Sequence, residues 1–211
     1  YGMKRIRKIR APLFVVGLIM SLAARLSNGG SLVINEFLAV NNTGRVDMVG
    51  ARSDWIEIYN SGSATNLAGW FLTDNFGNLT KWTFPSTNIT AGGYVIVVAD
   101  NSSTSIISGE LHANFRLDGG GEYLAMVRPN GLTIEDQYSP AYPDQSADVS
   151  YGIRADRVTR GFFDSVTPGS TNSTEGCDGI ASSPVFSTLS CTFTNAFALT
   201  LSTTGGGTIR Y

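Results

Sequence analysis

The sequence predicts an all-β protein that folds as a β-sandwich. Short strand-like runs recur along the chain, turn clusters rich in Gly, Asn and Asp separate them, and no segment shows sustained helical periodicity. Glycine occurs 24 times in 211 residues, and charged residues make up only 15%. This composition suits short strands and polar turns, and it excludes a coiled coil, a polytopic membrane protein and a basic nucleic-acid binder.

The predicted strands follow one another from Leu32 to Ile153. The first run is apolar, and the second alternates Trp55, Glu57 and Tyr59 with two isoleucines, which predicts a strand buried on one face. An Asn130-Gly131 turn predicts a hairpin between the sixth and seventh runs, because both residues accept positive φ. The runs cover residues 32–40, 55–59, 70–73, 82–84, 94–99, 123–127, 133–138 and 149–153.

The N-terminal segment predicts export. Residues 3–10 are strongly basic, residues 11–24 are mostly apolar, and small residues end the stretch. This is the order of a secretory signal peptide, which we assign to residues 3–27, with cleavage after Ala23, Ala24 or Gly29 left open. The alternative is an uncleaved anchor, although a spanning helix needs about 20 apolar residues. We expect a secreted, periplasmic or cell-surface protein that has no membrane association after cleavage.

The charge is unevenly distributed along the chain. Six of the 15 basic residues lie within the first 25 residues, which leaves nine basic against 17 acidic residues in the remainder. An acidic body repels phosphate backbones, so nucleic acid is not an expected partner.

No residue pattern predicts catalysis or a bound cofactor. His112 is the only histidine, and we expect it to be a structural, hydrogen-bonded residue. The sequence contains no phosphate-binding, zinc or nucleophile-elbow motif. Asp54, Asp74 and Asp118 are carboxylates in strand or turn contexts. They leave calcium as a weak alternative, because hard oxygen ligands suit that ion.

Two further sets of residues have alternative interpretations. Cys177 and Cys191 are the only cysteines, and in an exported chain they form either a disulfide or two unrelated thiols. Trp55, Trp70 and Trp82 lie in strand-like runs, which favours core packing, with a sugar-stacking platform as the alternative.

The order of several short motifs identifies a resemblance. Residues 32–172 resemble the lamin tail domain as it occurs in exported bacterial proteins. The resemblance implies an immunoglobulin-like sandwich whose usual role is interaction, and it places Phe115 with the tryptophans among the motif and core positions. The matching segments are LVINEF (32–37), DWIEIYN (54–60), LAGWFLTD (67–74), KWTFP (81–85), AGGYV (91–95), HANFRL (112–117), GEYL (121–124) and FFDSVTPGSTN (162–172).

The C-terminal part predicts a linker and the start of a second module. Residues 173–183 are small and polar, and we interpret residues 31–172 as the domain that precedes this linker. Residues 184–211 are similar to the beginning of the small β-module at the C-terminus of chitobiases and β-hexosaminidases, through FTNAFALTL (193–201) and GTIRY (207–211). So short a segment cannot enclose a core, so we expect a truncated module from the front of a longer protein.

These observations lead to one functional hypothesis and two alternatives. The first is a non-catalytic exported module for adhesion or assembly, whose partner is a protein or a cell-surface polysaccharide. The second is an accessory domain of a secreted enzyme, kinase-like or hydrolase, whose catalytic part lies beyond Tyr211. The third is a carbohydrate-binding module that uses exposed tryptophans.

Overall fold

The computed structural model describes residues 31–172, 176–181, 185–187 and 198–202. All regular structure in these residues is β-structure, so the all-β prediction is confirmed. The predicted signal peptide and Cys191 lie outside the described residues. The strands are β1 (Leu32–Leu38), β2 (Asp54–Asn60), β3 (Thr65–Asn66), β4 (Phe71–Thr73), β5 (Trp82–Thr83), β6 (Asn88–Ile89), β7 (Tyr94–Ala99), β8 (Ile106–Ile107), β9 (Glu110–Ala113), β10 (Leu124–Val127), β11 (Ile134–Tyr138), β12 (Ser150–Ile153), β13 (Arg160–Phe163), β14 (Val185–Phe186) and β15 (Leu201–Ser202).

Two sheets form the sandwich. The larger sheet has the strand order β13-β12-β1-β2-β7-β9-β8, and the smaller one has the order β11-β10-β4-β5. The β7–β9 pair is parallel, whereas the other pairs in both sheets are antiparallel. β10 and β11 are joined through Gly131, which has a φ of +69°, so the hairpin prediction is confirmed.

The main core lies between the two sheets. Aliphatic side chains of β1, β2 and β7 meet those of β4 and β10, and Trp82 and Phe115 are buried among them. Burying a side chain of this size contributes about 1.5–3 kcal/mol. The largest members of this core are Leu32, Ile34, Phe37, Ile56, Ile58, Leu67, Leu72, Trp82, Phe84, Phe115, Leu124 and Met126.

The outer face of the larger sheet is also covered, which the sequence pattern did not predict. Trp55 and Glu57 of β2 alternate with core isoleucines, yet both are fully buried. The prediction of a strand buried on one face is therefore wrong. Residues 41–53, here called the covering loop, lie over one end of this face, and residues 164–172, here called the strap, lie over the other.

The chain beyond the strap returns to the sheet edge. Within the predicted linker, Cys177 forms an antiparallel bridge with Phe162 of β13 through two backbone hydrogen bonds of 2.8 and 2.9 Å. Further along, β14 pairs with β15, whereas the segment at residues 207–211 lies outside the described residues. The described part of the chain holds no helix of the length and apolarity needed to span a membrane.

Candidate functional site

The three tryptophans do not form an exposed platform. Trp55 and Trp82 are buried, and Trp70 is partly buried against the core. Trp70 lies just before β4, where its backbone bonds to Leu67 and Phe84, and its side chain packs against the edge of the core. The coplanar exposed pair that a sugar-binding surface requires is not present among these side chains.

The calcium candidates are held by separate local partners. A carboxylate oxygen of Asp54 accepts a hydrogen bond from the Leu117 amide at 3.2 Å, and burial raises the pKa of Asp54 to about 6. Asp74 forms a 2.7 Å ion pair with Lys81. Asp118 accepts the Gly120 amide at 2.8 Å, as turn aspartates do. Within the described ranges, no three His, Cys, Asp or Glu residues are arranged to hold a metal ion.

His112 is buried beneath the covering loop. It belongs to a row of four side chains that crosses the outer face of the larger sheet, in the register Leu38, Trp55, Val98, His112. Nδ1 of His112 lies 3.0 Å from a carboxylate oxygen of Asp100, and Nε2 has no hydrogen-bond partner among the described residues. Since the ring has no exposed surface, it cannot meet a substrate.

The covering loop is fixed at its base and at its middle. The side-chain amide of Asn41 donates to the carbonyls of Arg45 and Ser53, at 2.7 and 2.9 Å. Glu110 of β9 binds the Arg45 guanidinium and accepts the Met48 amide at 2.6 Å. These contacts seal the row that contains Trp55.

A buried pair of glutamates lies at the other end of the same face. Glu36 of β1 and Glu57 of β2 are direct register partners, and neither has exposed surface. Asn35 at the β1 bulge donates to Glu57 at 2.8 Å and accepts from Arg157 at 3.0 Å. Arg157 also stacks on the Tyr59 ring, 4.1 Å from its centroid.

The strap closes over the two carboxylates. The amide and hydroxyl of Thr167 lie within hydrogen-bond distance of Glu36, and the Gly169 amide donates to Glu57. Desolvation raises the pKa values of both Glu36 and Glu57, and the charge of Glu36 raises the pKa of Glu57 further. The arrangement can bind a proton, but the strap leaves no route to a substrate.

Sequence reasoning missed this pair of glutamates. Asn35 and Glu36 interrupt an otherwise apolar run, and a polar pair inside such a run is the signal that could have indicated buried hydrogen bonding. Glu57 carries no such signal, because alternation with isoleucines is typical of a solvent-facing position.

A small apolar cluster lies on the outer face of the smaller sheet. Its buried part is formed by Tyr123 and β10, and its margin by partly buried neighbours. Phe76, with 69% of its surface exposed, meets the Tyr123 ring edge to face, with centroids 5.5 Å apart. We call this set the outer patch: Phe71, Phe76, Leu79, Tyr123, Ala125, Val127 and Ile134.

Comparison with known proteins identifies a family. The family model described as Lamin Tail Domain matches residues 26–140, just over half of the chain. No curated protein matches the sequence. The matched range includes both glutamates and β1–β11, whereas the strap, β12 and β13 follow it in the same sandwich.

Proposed function

The chain belongs to the lamin tail domain family, and from this premise we propose that it is a non-catalytic interaction module of an exported bacterial protein. The fold supports this proposal because immunoglobulin-like sandwiches present surfaces on a rigid frame. Function depends on the site and not on the fold alone, so the argument rests on which side chains reach the surface.

The buried polar residues support a non-catalytic role. His112, Glu36 and Glu57 are the residues whose chemistry would suit proton transfer, and each is sealed under the covering loop or the strap. A general acid or base has to lie within about 3 Å of a substrate proton, directly or through one water. These three residues therefore serve the fold.

The observation that carries the proposal is the outer patch. Phe76 is 69% exposed, and its ring packs on Tyr123 of the apolar cluster on this sheet face. Exposed apolar surface of this kind marks interaction sites, and aromatic anchors dominate their binding energy. A protein partner fits this surface better than a polysaccharide, because the edge-to-face rings of Phe76 and Tyr123 offer no flat stacking platform.

The interaction is tested with the labelled full chain and envelopes of the bacterium that produces it. We expect saturable binding that protease treatment of the envelopes abolishes and polysaccharide digestion leaves intact. Phe76→Asp should weaken this binding roughly tenfold or more, as loss of an anchor residue does. Val158→Asp is the matched control, because Val158 is 77% exposed on the turn between β12 and β13. Equal binding by both variants, or no saturable binding, would contradict the proposal.

Export is tested separately, with the native N-terminus in a Gram-negative host. We expect the protein in the periplasm, with an intact mass that shows the loss of roughly 20–28 residues, as signal-peptide cleavage requires. An uncleaved chain in the membrane fraction would establish the anchor instead.

A further inference from the structure

The glutamate pair under the strap poses a problem of charge. Glu36 and Glu57 face each other across β1 and β2 with no exposed surface, and two ionised carboxylates in that position would repel each other. The cation that acts on the pair is Arg157, whose charge lowers the pKa of Glu57 and whose guanidinium bonds to Asn35 instead of to a carboxylate. A single cation leaves one negative charge of the pair uncompensated.

Glu57 has the partners of an ionised carboxylate. Its two oxygens accept hydrogen bonds from the side-chain amide of Asn35 and from the backbone amide of Gly169. Both groups are N–H donors that cannot accept a proton in a hydrogen bond. A proton on Glu57 would therefore break one of these contacts.

Glu36 accepts the Thr167 backbone amide, and unlike Glu57 it also has two hydroxyl partners, Ser150 at Oε1 and Thr167 at Oε2. A hydroxyl can accept as well as donate a hydrogen bond. The Thr167 hydroxyl oxygen lies 2.9 Å from Oε2 of Glu36 and 3.1 Å from Oδ1 of Asn172. The amide orientation of Asn172 is fixed, because its nitrogen donates to the carbonyls of Asn35 and Ile153 at 2.9 and 2.8 Å. Oδ1 of Asn172 is therefore an acceptor, and so is an ionised Glu36.

The Thr167 hydroxyl has one hydrogen and cannot donate to two acceptors at once. A proton on Oε2 of Glu36 resolves the conflict, since Glu36 then donates to Thr167, and Thr167 donates to Asn172. We propose that Glu36 and Glu57 form a proton-binding site that holds one proton, on Oε2 of Glu36, when the strap is closed.

The site makes closure of the strap dependent on pH. Among the described residues, the other charged or titratable groups at the pair are Arg157, the Tyr59 ring on which it stacks and the Tyr94 hydroxyl that it contacts at 3.4 Å. The strap contains one titratable residue, Asp164, whose side chain is exposed. Loss of the proton leaves two buried anions and one unmet contact at Thr167, so alkaline pH should loosen the strap.

Two isosteric variants of the full chain test the assignment. In Glu36→Gln the amide nitrogen can donate to Thr167, as the proposed proton does, so we expect a stable fold. As pH rises above 4.5, the ordinary pKa of glutamate, the folding equilibrium constant of the wild type should fall by up to about tenfold per pH unit for one bound proton. Glu36→Gln should not show this fall. In Glu57→Gln the new NH₂ group must face the Asn35 side-chain amide or the Gly169 backbone amide, and both of these are donors. We therefore expect Glu57→Gln to be less stable than Glu36→Gln. The reverse order of stability would overturn the proposal.

A direct measurement on the wild type does not depend on the variants folding. Carbon-13 resonances of the glutamate carboxyls, followed from pH 4 to pH 9, should include one buried group that stays protonated at pH 6. That resonance should be absent in Glu36→Gln. If this variant does not fold, the resonance in the wild type should show a through-space coupling to Thr167. Titration of both buried glutamates below pH 5, or assignment of the protonated group to Glu57, would contradict the proposal.

Discussion

The close approach of the β1 and β12 backbones leaves room only for glycine at one position of β12. Gly152 pairs with Glu36, and a Cβ at Gly152 would lie 2.2 Å from the Asn35 carbonyl oxygen and 2.8 Å from the Glu36 Cα. Since both contacts are backbone atoms, they cannot move aside as a flexible side chain would. We expect Gly152→Ala to lower the free energy of unfolding by about 1–3 kcal/mol, measured by urea denaturation.

Gly179 provides the control for that substitution. A Cβ at this position would meet nothing within 4 Å. Gly179→Ala should therefore change the free energy of unfolding by no more than about 0.5 kcal/mol. If the two variants are equally stable, strain at the β1–β12 contact does not determine the identity of residue 152.

At the level of elements, we expect the position of the covering loop to depend strongly on the side-chain amide of Asn41. Asn41 bonds to both ends of the loop that seals Trp55 and His112. Asn41→Ala removes two hydrogen bonds, each worth about 1 kcal/mol. We expect a loss of about 1–2 kcal/mol in unfolding free energy, and stronger acrylamide quenching of tryptophan fluorescence.

The neighbouring asparagine separates this effect from a general effect of substitution in the loop. The Asn42 side chain is exposed, so Asn42→Ala should leave both measurements close to wild type. Equal quenching in the two variants would show that Asn41 does not fix the loop over Trp55.

Local sequence patterns predicted the strands whose apolar residues and turn signals lie close together in the chain. The runs at β1, β2, β7, β10 and β11 were predicted because their apolar residues and turn signals lie within a few positions of each other. β9 was missed, because Glu110 and His112 give a four-residue strand no apolar pattern. The burial of Glu57 was missed for another reason: the strap that covers it lies 112 residues away in the sequence. The resemblance included the strap motif but did not indicate its partner.

For the whole molecule, contacts at the β13 edge of the larger sheet determine where the domain ends. The proposed domain of residues 31–172 lacks Cys177, which bridges β13, and Asp178, which pairs with Arg154. We expect residues 31–172 to unfold cooperatively with a midpoint unaffected by EDTA. Residues 31–181 should be more stable by about 1 kcal/mol, mainly from the two backbone hydrogen bonds, because the Asp178 carboxylate is exposed and its ion pair is screened. Equal stability would assign Cys177 to the linker alone.

The pH dependence of stability should also be a property of the whole molecule. Burial raises the pKa of Asp54 to about 6, from 3.8, and it also raises the pKa at which the buried pair Glu36 and Glu57 gives up its proton. Groups with raised pKa values stabilise fully below their unfolded values and lose that contribution as pH rises through the folded values. Asp148 and Asp156 have lowered pKa values through hydrogen bonds, and their contributions are lost as pH falls below 3.8. We expect the thermal midpoint to peak between about pH 4 and 5 and to decline toward pH 8.

Calorimetry between pH 3 and pH 8 measures this profile. Asp54→Asn should flatten the part of the decline below pH 6, since it removes the group that titrates there. A midpoint that rises from pH 5 to pH 7 would show that the buried carboxyls are not the groups that govern the profile.

The long separation between the strap and its partners has a consequence for synthesis. Glu36 leaves the ribosome 131 residues before Thr167, and Asn35 leaves it 137 residues before Asn172. At elongation rates of about 5–20 residues per second this interval is on the order of ten seconds. During it, the first strand has no lid, and both glutamates are hydrated and ionised. The nascent chain therefore cannot close the strap early, and the proposed export would have that interval in which to act on an unfolded polypeptide.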